Sequence, residues 1–244
     1  MVYISLEGIH PSWKPFFTPD VIRILENIDD MLIERQEPFN PNPENILRFA
    51  QQPLNEVKVL ILGQDTYPAA GVATGRAFEV GGLSSWDAPF RQVSLKNIVK
   101  NLYGTYTGQD PYCSYSKVLA AIKDGSFPIL PPDKLMGSWA DQGVLLLNAA
   151  LTCEVGLPGS HSCAWAPFTA KLLKWLAEQK PELKVFLWGK EAQRYKPIFD
   201  NGFREMTVYT CDHPMMCSAK KATDFLKFKG FADTMDEINW LGRS

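Results

Sequence analysis

Three short polar clusters in this sequence carry side chains able to do chemistry: Gln64-Asp65-Thr66-Tyr67, the amide Asn148, and Asp212-His213-Pro214. By type they supply a carboxylate that can face positive charge or a water, a carboxamide that both donates and accepts, and an imidazole that donates. Taken singly, each has a plainer reading. Asp is a favoured turn former, Asn148 can cap the next segment, and a lone histidine is often structural. Their shared setting is what distinguishes them, because each stands at the end of a short apolar run.

Four such runs read as strands covered on both faces: 57–63 (VKVLILG), 143–148 (GVLLLN), 183–189 (LKVFLWG) and 206–211 (MTVYTC). Helical spacing of apolar residues marks 21–33, 94–102 with Ser94 as its cap, 166–179 and 191–199. Strands alternating with helices predict an α/β fold, a three-layer α/β/α sandwich around a four-stranded, mainly parallel sheet. Ligands of such sheets bind beyond the carboxyl ends of the strands, where the three polar clusters fall. The stretch 105–136, rich in Gly, Pro, Tyr and Ser, reads as an insertion on a single domain spanning 1–244.

Composition bounds the rest. With 45% hydrophobic and 21% charged residues the chain has ordinary globular usage. The longest apolar run, 118–122, falls far short of the roughly 20 residues that a spanning helix needs, so no membrane association is expected. The first seven residues show no secretory pattern, which predicts an intracellular, cytoplasmic protein, or a nuclear one in a eukaryotic or viral setting. Five cysteines without a CxxC pair fit reduced thiols, and neither a metal nor a cofactor is implied. A net charge of -2 excludes attachment to nucleic acid by bulk charge, so any DNA contact is local.

Taken in order, the clusters and their surroundings resemble the family 1 uracil-DNA glycosylases over about residues 50 to 240. The family's GQDPYH and AF segments are matched by Gly63-Gln64-Asp65-Thr66-Tyr67 and Ala77-Phe78. Its SWA, QGVLLLN and LT segments are matched by Ser138-Trp139-Ala140, 142–148 and Leu151-Thr152, and its HPSPLS by His213-Pro214-Met215-Met216-Cys217-Ser218. The resemblance implies an enzyme that flips uracil out of single- or double-stranded DNA and cuts its glycosidic bond, without cofactor, as a monomer, with a proteinaceous inhibitor as a further partner. It implies that Asn148 reads the uracil edge, Phe78 stacks on the ring, Tyr67 excludes the thymine methyl and Gln64 helps orient the base. Asp65 then faces the oxocarbenium-like sugar and the attacking water, and His213 donates to uracil O2. Trp139 and Trp188 are expected in the core.

The departures from the family pattern carry their own expectations. Thr66 and Pro68 replace Pro and His, which loosens the first loop. Val93-Ser94 replaces Pro-Ser and leaves Ser94 as a phosphate contact. Cys217 stands at the family's wedge leucine, with Met216 as a substitute wedge, Ser218 retained, and Lys220 leading a basic stretch with Lys221, Lys227 and Lys229 that is either a phosphate contact or a solvated helix face. A shorter wedge predicts weaker duplex handling and relatively better cleavage of single strands. Segment 108–112 spells GQDPY literally, yet no strand precedes it, and it reads as a surface turn. A same-fold glycosylase of shifted base or strand preference, and a non-catalytic DNA-binding homologue, remain as alternatives.

Overall fold

The structure is a computed structural model describing residues 1–200 and 206–243. Its strands are β1 (Phe39–Asn40), β2 (Val59–Asp65), β3 (Val144–Ala150), β4 (Cys153–Glu154), β5 (Lys184–Trp188) and β6 (Thr207–Cys211). β2, β3, β5 and β6 form one sheet in the order β3-β2-β5-β6, every neighbouring pair parallel, while β1 and β4 make a small antiparallel pair. The helices are α1 (Pro19–Arg35), α2 (Val93–Thr107), α3 (Tyr115–Lys123), α4 (Pro132–Asp141), α5 (Ser162–Gln179), α6 (Lys190–Gln193), α7 (Lys196–Asp200) and α8 (Gly230–Asp233).

Strand alternation sorts the sheet's side chains into two cores. Leu60, Leu62, Leu145, Leu147, Val185 and Leu187 pack against α1 and α5. Val59, Ile61, Val144, Leu146, Phe186 and Trp188 pack on the opposite face against α2, α3 and α4. β2, β3 and β5 are covered on both faces, which is why they read as unbroken apolar runs; β6, expected to be covered likewise, is an edge strand that leaves Thr207 and Thr210 exposed. Among the described residues no helix is long and apolar enough to cross a membrane.

Several boundaries differ from the sequence reading. β2 runs on to Asp65, because Asp65 still pairs with Ala150 of β3. The first helical residue of α2 is Val93, with Gln92 at the cap, so Ser94 lies inside the first turn and does not cap it. The helix expected over 191–199 is two short helices, α6 and α7. Segment 105–136 is built into one helical layer: it holds the end of α2, all of α3 and the start of α4, and it buries Val118, Phe127, Ile129 and Leu135 in the second core. The literal GQDPY at 108–112 is the turn after α2, begun by Gly108 at φ 68°.

Candidate active site at the carboxyl rim

Alternation also decides which polar residues meet. Gly63, Asp65 and Asn148 follow Ile61 and Leu146 in phase, so they rise from the same face as Trp188. Gly63 and Asn148 are register partners across β2 and β3. A Cβ on Gly63 would come within 2.5 Å of Asn148 Oδ1 and 3.0 Å of Ala77 Cβ, so the glycine opens the space that the amide occupies. Asn148 itself is buried.

Asp65 is half-buried at the tip of β2. The backbone N–H of Gly159 donates to its Oδ2, whereas Oδ1 is buried and has no partner among the described residues. Burial raises the carboxyl from 3.8 to about 6, and backbone donation from Gly159 and Thr66 limits the rise. The loop after it is anchored despite lacking the family's proline: Pro68 O accepts from Asn40 Nδ2 at 2.9 Å and from Gly156 N at 2.9 Å, and Thr66 O accepts from the Cys153 thiol at 3.5 Å. Tyr67 packs against the second core with its hydroxyl buried and unpaired among the described residues, and burial pushes its pKa up.

Phe78 adopts a left-handed backbone, φ 64°, unusual for a bulky residue. Two features hold it there. Ala77 N donates to Leu146 O at 3.2 Å, tying the segment to β3. Glu79, buried, receives Arg76 at 3.1 Å and Arg48 at 3.2 Å, and Arg48 also donates to Thr74 O at 2.7 Å. The Phe78 ring lies 5.1 Å from that of Trp188 and 6.3 Å from that of His213. Trp188 is buried, as is Trp139.

His213 leaves β6 and sits on Gly189, whose added Cβ would meet His213 Cβ at 2.8 Å. Its Nδ1 accepts the Met215 N–H at 3.2 Å, which assigns the ring proton to Nε2. Burial lowers its pKa, so the imidazole is neutral at pH 7. The site thus presents a carboxylate, a carboxamide, an aromatic face and a neutral imidazole donor on one side of the sheet rim.

Gln64 does not join them. It is exposed and out of phase with Gly63 and Asp65, lining a neighbouring cavity of about 360 Å³ with Ala149, Cys163, Arg194 and Tyr195. Its side chain points away from the Asn148 face in this arrangement. Ser94 is buried in the first turn of α2. In the loop 213–218, Met216 is 65% exposed, whereas Cys217 turns inward, its thiol 3.5 Å from Pro214 O. Of the two residues named for the wedge, Met216 is the one that protrudes. Ser218 donates its N–H to Asp224. The basic stretch lies mostly in turns, with Lys227 ending a 3-10 turn: Lys227 donates to Ala219 O and Lys221 O at 2.8 Å each, Lys221 pairs with Asp212 at 3.3 Å, and Lys220 is exposed.

Sequence reasoning missed Glu79 with its two arginines, the Gly159 amide, and Asp224. Glu79 adjoins Phe78 and is a charge beside a site residue, which was the available signal; Gly159 acts through its backbone and leaves none.

A parallel sheet with its polar residues gathered on one face of the carboxyl rim defines an α/β protein of the class that binds its ligand outside the strand ends. Residues 49–236 match the family described as Uracil DNA glycosylase superfamily. The chain is 32% identical to the uracil-DNA glycosylase of Corynebacterium glutamicum, covering 96% of this chain and 90% of that one. Among solved structures, the UNG of Nitratifractor salsuginis superposes with a TM-score of 0.74 at 23% identity, covering 97% of this chain and 94% of the other. A mimivirus UNG solved in complex with UGI gives a TM-score of 0.66 at 25% identity, covering 87% and 71%. The chain belongs to the uracil DNA glycosylase superfamily.

Proposed function

We propose that this chain is a uracil-DNA glycosylase of the family 1 type, hydrolysing the N-glycosidic bond of flipped-out deoxyuridine to release uracil and leave an abasic site, the first step of base excision repair. The observation that carries the reading is the meeting of Asp65, Asn148, Phe78 and His213 on one face of the sheet rim. An extruded uracil stacks on Phe78, and the Asn148 amide donates to O4 and accepts from N3–H, a pattern that cytosine reverses. The Tyr67 ring stands where a thymine methyl would go.

As the bond from the sugar to uracil N1 lengthens, positive charge grows on the sugar and negative charge on O2. Asp65, anionic above about pH 6, stabilises the first and accepts a hydrogen from the attacking water through its unpaired Oδ1. The Nε2–H of His213 donates to the second; a neutral imidazole suits a donor that must not give its proton away. Ser94, Ser218 and Lys220 contact backbone phosphates, and Met216 fills the gap that the base leaves. A proteinaceous inhibitor is a further proposed partner, supported by the mimivirus UNG complexed with UGI.

Incubation with a uracil-containing oligonucleotide, without added metal, is expected to produce alkali-labile sites at uracil alone. The His213→Ala protein should be slower by about 10²–10³-fold, the usual consequence of losing one such donor. Absence of uracil release by the wild-type chain rejects the proposal.

A further inference from the structure

Helix α2 and the turn after it touch the loop 213–218 and the segment that closes it at three points, two of them buried and the third part-buried. Asn97, 8% exposed, donates to Pro214 O at 2.6 Å, and Asn101, 3% exposed, donates to Phe225 O at 2.8 Å. Four residues apart, these amides lie on one face of the helix. The third point comes from the turn 108–112. Gly108 reverses the chain, Asp110 Oδ1 accepts the Tyr112 N–H at 2.9 Å, and the Tyr112 hydroxyl then donates to Asp224 Oδ1 at 2.7 Å. Asp224 is 1% exposed and also receives the backbone N–H groups of Ser218 and Leu226.

In the outer part of the loop Met215 and Met216 project into solvent, and their N–H groups donate within the loop itself, to His213 Nδ1 at 3.2 Å and His213 O at 3.0 Å. Left unanchored, that loop would have to be ordered each time it met DNA, and ordering costs affinity. The anchors also lie along one rigid element, since α2, which carries Ser94 in its first turn and leads into the Tyr112 turn, is 15 residues and about 22 Å long. We propose that Tyr112, acting through Asp224, together with Asn97 and Asn101, is a positioning device that pre-sets the loop 213–218 for DNA and locks it in register with Ser94. The inference rests on the glycosylase reading above. It gives the turn that spells GQDPY a task outside the pocket: its tyrosine holds a DNA-handling loop from behind.

The test combines two measurements. In the DNA-free wild-type protein, hydrogen exchange should show the Ser218 amide protected; exchange at the rate of an open loop overturns the proposal. This measurement does not depend on the substrate, so it stands apart from the failure of uracil release that would reject the glycosylase reading. In steady-state uracil release, Tyr112→Phe, which removes one hydroxyl, should raise KM for duplex DNA about tenfold and leave kcat within about twofold, because His213 keeps its seat on Gly189. Tyr112→Phe with both constants unchanged, or with kcat lowered at constant KM, means that the contact merely stabilises the fold, and the positioning role is wrong.

Discussion

Replacing Asp65 by Asn should slow uracil release severely and, above pH 6, make the protein more stable. The carboxyl lies half-buried with its value raised from 3.8 to about 6, chiefly by burial. At 1.36 kcal/mol per tenfold change, holding the anion in that place costs ~3 kcal/mol relative to water. The site is partly open to solvent, which screens the charge and reduces the figure to ~1–1.5 kcal/mol. The sign follows from linkage. A carboxyl whose folded value exceeds its unfolded one favours folding while it is protonated, below about 3.8, and this contribution fades as pH rises through about 6. The amide of the Asp65→Asn variant has no such dependence and can still accept the Gly159 N–H. Denaturant titrations of both proteins at pH 4 and pH 7.5 should therefore show the variant gaining ~1–1.5 kcal/mol on the wild type between the two conditions. Uracil release by Asp65→Asn should fall by at least about 10²-fold, and kcat/KM of the wild type should drop below about pH 6. A stability gap that is the same at both pH values would refute the claim that burial of this anion is a cost borne for catalysis.

Three other substitutions probe the remaining walls of the pocket. Gly63→Ala drives a methyl into Asn148 Oδ1, and should cost ~1–3 kcal/mol of stability in thermal melts, while uracil release drops about 10²-fold through misplacement of the amide. Tyr67→Ala should create alkali-labile sites at thymine, which the wild type leaves intact, since one methyl is worth about 10–200-fold in a shaped pocket. Wild-type cleavage is expected to be faster on single-stranded than on duplex uracil DNA; Met216→Ala should lower the duplex rate about tenfold further, as expected for losing ~1.5 kcal/mol of Met burial, and leave single strands unaffected.

The sheet was legible because β2, β3 and β5 are covered on both faces, and their runs are short and rich in branched or aromatic residues, which favours a buried strand over a buried helix segment. The site was legible for the same reason: Asp65, Asn148 and His213 close three of those runs. Gln64 illustrates the limit. Two further strand residues, Gln64 and Asp65, fixed its phase, turning it away from Asn148, and sequence alone did not say where β2 stopped. The helical content of 105–136 was hidden by its glycines, prolines and tyrosines, although Val118 and Leu135 fill the core from α3 and α4. Asn97 and Asn101 sat in view on an apolar helix, but their partners lie more than 100 residues away, a relation that no local pattern encodes.

The Arg48–Glu79–Arg76 cluster bears on how the enzyme spends its binding energy. Because these ion pairs hold Glu79, the residue next to Phe78, the left-handed backbone that presents the ring is already fixed in the DNA-free protein. An arriving nucleotide has only itself to reorganise, and the favourable energy of docking is left over for prising it from its neighbours.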